Sequence, residues 1–245
     1  LSRHAPFSSP HHSASVAAMV GGGARIAQPG AISLAHRGVL FLDEAPEFSP
    51  RALDALRTPL ESGRVELARS LALTRYPARF QLVLAANPCP CGRAGEATGQ
   101  CECTPMAVRR YAARLSGPIL DRIDIGQPLR PMTKSYLRAA GPTGEPSVAV
   151  ARRVAEARHR QLTRLSSLGF RTNAEVPGAV LRTALPRPEG IDVLEATMAR
   201  GLLSLRGLDK VVRLAWTIAD LSGAERPRVD HIRAAIALRR GEVRP

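Results

Sequence analysis

Two adjacent carboxylates, Asp43 and Glu44, stand directly after the apolar run Val39-Leu40-Phe41-Leu42. A continuous run rich in branched and aromatic residues reads as a strand buried on both faces. The carboxyl ends of parallel strands form the edge where ligands collect. Two acids there suit nucleotide hydrolysis: the first can hold Mg²⁺, directly or through water, and the second can orient and polarise an attacking water. The plainer alternative is a strand followed by two solvated acids in a turn. A second apolar run, Phe80 to Ala86, ends at Asn87-Pro88. It predicts another buried strand, and in a parallel sheet Asn87 shares the edge with Asp43 and Glu44.

Cys89, Cys91, Cys101 and Cys103 are the chain's only cysteines. Four thiolates suit a closed tetrahedral Zn²⁺ site, which would pin an insertion lacking its own core and leave no open position for catalysis. Gly92, Gly95 and Gly99 let the intervening loop fold back. The C-x-C spacing is tighter than the usual C-x2-4-C, so reduced free thiols are the alternative. Disulfides are disfavoured in a cytoplasmic protein.

The elements that must position these residues follow from local signals. Ser13 to Val20 reads as a short helix stopped by Gly21-Gly22-Gly23, and Gln28-Pro29-Gly30 as a turn. His11 and His12 are adjacent, so they suit turn or capping roles better than a metal pair. Ser49-Pro50 is an N-cap followed by proline at the first helical position. One helix then carries Leu53, Leu56 and Leu60 as a single stripe to Gly63. Val65–Leu67 and Leu71–Thr74 form a hairpin, and Thr104-Pro105 opens a helix to Leu115. A Pro/Gly-rich stretch, about 141–146, separates a wholly helical remainder. Its first helix places Val150, Val154, Ala157, Leu165 and Leu168 on one face, with Arg152, Arg153, Arg158, Arg160 and Arg164 on the other. Shorter helices fit 178–185, 189–203, 208–222 and 230–239. The fold class is α/β followed by an all-α domain, with residues 1–132 as the sheet domain, 133–148 as linker and 149–245 as the helical domain.

The 245 residues are long enough to bury a sizeable core and carry 35 Lys+Arg against 21 Asp+Glu, a formal charge of +14. Residues 1–132 hold 15 Arg and 10 acids; the rest hold 20 Lys+Arg and 11 acids. Such basicity favours a polyanionic partner, nucleic acid before membrane, although Arg-rich usage also follows from genomic base composition. No run approaches the roughly 20 apolar residues of a membrane span, and the N-terminus has no signal region. A cytoplasmic location is expected.

Leu40-Phe41-Leu42-Asp43-Glu44, Asn87-Pro88 and Leu120-Asp121-Arg122-Ile123-Asp124, in this order, resemble an AAA+ P-loop ATPase. Ala5-Pro6-Phe7 through Pro10-His11-His12, Gly30 to Gly38, Asp43 to Phe48, Ala86 to Gly92 and Leu115-Ser116-Gly117-Pro118 narrow the resemblance. It is to the magnesium-chelatase-like branch of the bacterial competence (ComM/YifB) type, over nearly the whole chain. The resemblance implies Asp43 as the Walker B acid on Mg²⁺, Glu44 as the water-activating acid and Asn87 as sensor 1. It implies Arg122 as an arginine finger facing a neighbouring subunit's nucleotide; a structural arginine paired with Asp121 or Asp124 is the alternative. Arg206, or else Arg213, is implied as sensor 2, and Arg69 and Arg75 of the hairpin as DNA contacts. A surface charge and a solvated hairpin are the respective alternatives.

The resemblance further implies ATP and Mg²⁺ as cofactors, a homo-oligomeric ring (a hexamer), DNA as partner, and recombination or uptake proteins beside it. The expected activity is DNA translocation or branch migration. The ATPase subunit of a magnesium chelatase and a non-hydrolysing zinc-pinned DNA-binding module are the rivals. No G-x-x-x-x-G-K-[ST] occurs in the chain. The expectation is therefore a fragment of a longer protein, truncated after its Walker A loop and inactive alone, rather than a degenerate relative.

Overall fold

The computed structural model describes residues 4–23, 26–68, 73–94, 100–129, 145–201 and 203–242. The chain divides into two compact units, residues 1–123 and 124–245. The expected linker lies mostly in residues 130–144, outside the described residues.

The first unit is built on a three-stranded parallel sheet. Strand β4 (Val39–Leu42) lies between β1 (Phe7–Ser8) and β7 (Gln81–Leu84). The register pairs Phe7 with Val39 and Leu42 with Leu84. Gly38 allows this approach: a Cβ there would stand 1.8 Å from the Pro6 carbonyl oxygen, whose bond from the Val39 N–H starts the β1–β4 pairing. Only one sheet face is fully packed. Leu40 and Leu42 are completely buried with Met19, Ile32, Leu53 and Leu56, each such side chain contributing about 1.5–3 kcal/mol. Val39 and Phe41 are half-buried, Val83 is exposed, and Phe7 stacks on Phe41 at 6.2 Å between ring centroids. The expectation of strands buried on both faces is thus corrected for β4 and β7. Burial follows the pleat, because within this unit helices cover one side.

Helix α1 (Val16–Val20) is capped by Ser15, whose Oγ accepts from the Ala18 N–H at 3.1 Å. The glycines after it do more than stop a helix: Gly21–Gly22 is strand β2, antiparallel to β3 (Gln28–Pro29) where a turn was expected. Helix α2 (Ala31–Leu34) follows. Ser49 caps α3 (Pro50–Asp54), accepting from the Ala52 N–H at 3.2 Å. The single helix expected here is two, since α4 (Arg57–Ser62) starts separately. Pro59 has no N–H for the Ala55 carbonyl and its ring crowds that oxygen, which breaks the helix one turn upstream. Leu53 and Leu56 still share the core.

The hairpin is β5 (Arg64–Ala68) and β6 (Leu73–Pro77), so its second strand lies nearer Pro77 than expected. The Tyr76 hydroxyl fixes it by donating to the Ala27 carbonyl at 2.6 Å. Thr104 caps α5 (Pro105–Ala112), and α6 (Gly117–Leu120) completes the unit.

The second unit is helical: α7 (Ser147–Leu165), α8 (Gly178–Thr183), α9 (Ile191–Ala199), α10 (Leu205–Ser222) and α11 (Val229–Arg240). Trp216 is fully enclosed at its centre, with Leu165, Leu194, Val211 and Ile232. Two expectations for α7 are corrected. Val154 is exposed and Val150 only half-buried, because α7 is buried from Ala157 onward. Arg164 does not belong to the outer face: it pairs with Asp220 of α10.

Candidate functional site

Strand β4 ends at Leu42, so Asp43 and Glu44 leave its carboxyl end together. Both are exposed. The carboxylate of Asp43 accepts from the Glu44 N–H at 2.9 Å, which orients it against its own backbone. Glu44 has φ 49° and ψ 42°, the left-handed region. For a side chain bearing a Cβ this costs about 1–2 kcal/mol. The chain accepts that strain to start the tight turn at 45–47, where Ala45 and Pro46 are buried.

Strand β7 lies beside β4, and its continuation is laced to the same turn. The Ala85 N–H donates to the Leu42 carbonyl at 3.0 Å, and the Ala85 carbonyl accepts from the Ala45 N–H at 2.8 Å. Asn87, exposed, follows two residues later. Asp43, Glu44 and Asn87 therefore come from adjacent parallel strands at one edge. A hard cation fits an exposed carboxylate such as Asp43, and Asn87 offers both an amide donor and an acceptor.

Sequence reasoning missed a fourth member. The Nδ1 atom of His12 stands 3.1 Å from Glu44 Oε2. His12 lies beyond the carboxyl end of β1, the other neighbour of β4, and His11 beside it bonds Ser13 Oγ at 2.8 Å. A two-residue strand carries no periodicity to reveal this; the one available clue was a histidine pair shortly after a short extended segment.

The turn after Glu44 is braced from α5. Arg114 Nη1 lies 2.6 Å from Glu47 Oε2 and also donates to the Pro46 carbonyl, while its guanidinium covers the ring of Tyr111. Burial first, then the charges of Glu47 and Glu44, push the Tyr111 hydroxyl above its ordinary pKa. That electrostatic influence is the mark of an acidic edge.

Arg122 follows α6 and is largely enclosed. Its Nη1 donates to the Pro118 carbonyl at 2.6 Å, and its Nη2 pairs with Glu61 of α4. Asp124 pairs with Lys210 at 2.9 Å in the second unit. Arg75 is exposed and shares Glu66 with Arg64, both at 3.0 Å. Arg69 lies outside the described residues.

Of Arg206 and Arg213, the latter donates twice to the Val176 carbonyl, at 3.1 and 2.9 Å. Arg206 is exposed in the first turn of α10, beside the Ser204 cap.

The four cysteines cluster. Their sulfurs all lie within 4.8 Å of one another, a group that could hold a metal ion. Burial pushes the Cys89 thiol up, but hydrogen bonds from Cys91, the Ala94 N–H and Cys101 outweigh it and bring it to about 6. The backbone bond near Cys91 lowers Cys103, yet contact with Cys91, burial and the neighbouring Cys89 raise it to about 12. One thiolate is favoured and its neighbours resist a second negative charge, an imbalance that a cation relieves. Among the described residues no helix is long and apolar enough to cross a membrane.

Residues 1–137 match the family model described as magnesium chelatase, subunit ChlI, and residues 144–239 match that of its C-terminal part. An uncharacterised protein of Mycobacterium tuberculosis (strain H37Rv) is 50% identical over 235 residues, covering 96% of this chain and 46% of the relative. The uncharacterised protein YifB of Escherichia coli is 44% identical, over 97% of this chain and 46% of its own length. The competence protein ComM of Haemophilus influenzae is 40% identical, over 96% and 45%. The chain thus spans about half the length of these curated relatives.

Proposed function

The chain belongs to the magnesium-chelatase-like AAA+ family, and from that premise we propose that it forms part of a Mg-ATP-dependent motor that works on DNA. The observation that carries the reading is the shared edge: Asp43, Glu44 and Asn87 at the ends of adjacent parallel strands, with Glu44 in a strained backbone conformation and met by His12. Asp43 holds Mg²⁺, Glu44 activates the attacking water, and Asn87 positions that water against the γ-phosphate. His12 positions the Glu44 carboxylate. A bound Mg-nucleotide would supply the scissile phosphoanhydride; these side chains would hold the ion and orient the water.

Arg122 is the residue presented to a neighbour's nucleotide in a homo-oligomeric ring, with hexamer as the proposed size. Its pairing with Glu61 supports a pre-set orientation for a planar fork that matches phosphate oxygens. Arg206 is the proposed sensor 2, exposed in the first turn of α10, with Arg213 as second choice. The charge of +14 and the outward Arg75 support DNA as the polymer moved, as does the competence protein among the relatives. Recombination or uptake proteins are the proposed partners, and the cytoplasm the proposed compartment.

A second reading has its own support. The matching family model is described as a magnesium chelatase subunit, which favours hydrolysis coupled to Mg²⁺ insertion into a porphyrin. The test is steady-state ATP turnover of the full-length protein with and without single- and double-stranded DNA. Turnover stimulated by DNA, and reduced about 10³-fold or more by Arg122→Ala, is the expected result. Turnover indifferent to DNA transfers the proposal to the chelatase reading. No turnover at all leaves a non-hydrolysing DNA-binding module.

A further inference from the structure

The four cysteines stand apart from the nucleotide chemistry, and their arrangement carries an assignment of its own. The Sγ of Cys89 lies 3.3 Å from that of Cys91 and 3.8 Å from that of Cys101; Cys91 and Cys101 are 3.6 Å apart. A disulfide requires about 2.05 Å, so these are free thiols in contact rather than bonded pairs. Sulfurs placed tetrahedrally about 2.3 Å from a Zn²⁺ ion are about 3.8 Å from one another. The observed separations reach that value with only small adjustment, and Cys103 lies within the same 4.8 Å limit.

The backbone around the cluster is shaped for charged sulfur. Gly92, at φ 79°, turns the chain back directly after Cys91, and its N–H donates to the Cys89 carbonyl at 3.0 Å. The Ala94 N–H then reaches Cys89 Sγ at 3.3 Å. Donors of this kind orient and stabilise a thiolate that is also a ligand. Cys89 is fully buried, so the centre is closed on one side. Four soft donors with no carboxylate or carbonyl among them select zinc over magnesium or calcium.

Position gives the site its consequence. Cys89 follows Asn87 by two residues. Cys103 precedes Thr104, whose Oγ1 caps α5 by accepting from the Ala107 N–H at 3.2 Å. Just beyond α5, Arg114 holds Pro46 and Glu47 in the turn after Glu44. We propose that Cys89, Cys91, Cys101 and Cys103 form a closed tetrathiolate zinc site that fastens α5 to the carboxyl edge of the sheet. The ion joins the segment leaving β7 to the segment entering α5, so the brace on the Glu44 turn is anchored at both ends. Its role is structural. This assignment does not rest on the ATPase reading, because it is tested without turnover.

The experiment is metal analysis of the full-length protein beside Cys91→Ser and Cys103→Ser, followed by hydrogen exchange before and after chelation. Cys91 is the exposed member, so its replacement disturbs packing least. The expected result is one zinc per chain in excess of either variant, and tetrahedral tetrathiolate absorption after exchange with cobalt. Chelation then raises exchange in residues 105–112 and 45–47 about tenfold or more, while α10 keeps its protection as the internal control. Equal zinc in the parent and both variants overturns the site. Zinc bound by the four sulfurs with unchanged exchange in both segments overturns the fastening role.

Discussion

In the helical unit Asp220 is 1% exposed, and polar groups from three other places in the chain turn toward it. Arg164 grips both its carboxylate oxygens, Asn173 donates to Oδ2 at 3.1 Å, and Arg160 donates to its backbone carbonyl at 2.8 Å. The Arg164 guanidinium also lies 4.2 Å over the ring of Trp216. In the sheet unit Asp43 and Glu44 face outward, one of them on strained backbone. Both regions contain acids beside basic side chains, yet one satisfies its charge internally and the other leaves carboxylate oxygens accessible. A buried, paired ion network joins helices; accessible acids on an edge are available for a ligand. The contrast separates scaffold from site more sharply than charge alone.

Substitutions should break that contrast in opposite directions. Glu44→Gly is expected to lower ATP turnover of the full-length protein by about 10²–10⁴-fold. Removing the Cβ strain should at the same time raise thermal stability by about 1 kcal/mol. Asp220→Ala is expected to cost about 3–5 kcal/mol of stability, read by denaturant unfolding, because it leaves Arg164 with a buried, uncompensated charge. Nucleotide chemistry at the edge should be unaffected wherever the variant is folded.

Smaller effects sharpen the comparison further. His12→Ala is expected to reduce kcat about tenfold with little change in KM, as befits one hydrogen bond to a carboxylate. His12→Asn, which keeps a donor, should recover part of the loss. An unchanged kcat in His12→Ala would remove His12 from the site. The smallest effect concerns His36, whose Nδ1 accepts from the Arg79 N–H at 3.0 Å. Burial, then the charges of Arg37 and Arg79, hold its pKa below 6.5. The unfolded chain therefore takes up the proton first as pH falls. Stability is full above pH 6.5 and declines as pH drops from there through the lower folded value. His36→Gln should flatten that slope in unfolding curves taken across the same range.

The legible parts of the sequence were those governed by neighbours in the chain. Ser49 and Thr104 announced their helices because capping needs only a side chain and an N–H three residues on. The run from Val39 to Leu42 announced β4 and the acids at its end. What stayed hidden depends on distant partners. Phe41 and Val83 read as core, yet burial depends on what covers the second sheet face. Arg164 read as a surface charge because Asp220 lies 56 residues away in the chain. His12 and Glu44 meet only because β1 and β4 are paired. The split before Pro59 was visible in principle, but the leucine stripe through Leu53, Leu56 and Leu60 masked it. The cysteine spacing suggested a metal; only folding shows the four sulfurs gathered beside the acidic edge.

The most direct test of the central claim compares Mg-ATP binding and single-turnover hydrolysis in the full-length protein and its Glu44→Gln variant. The account predicts that the variant binds Mg-ATP at least as tightly as the parent and cleaves it about 10²-fold or more slowly. Hydrolysis at the parental rate in Glu44→Gln would contradict it and return Asp43 and Glu44 to the status of two solvated acids in a turn.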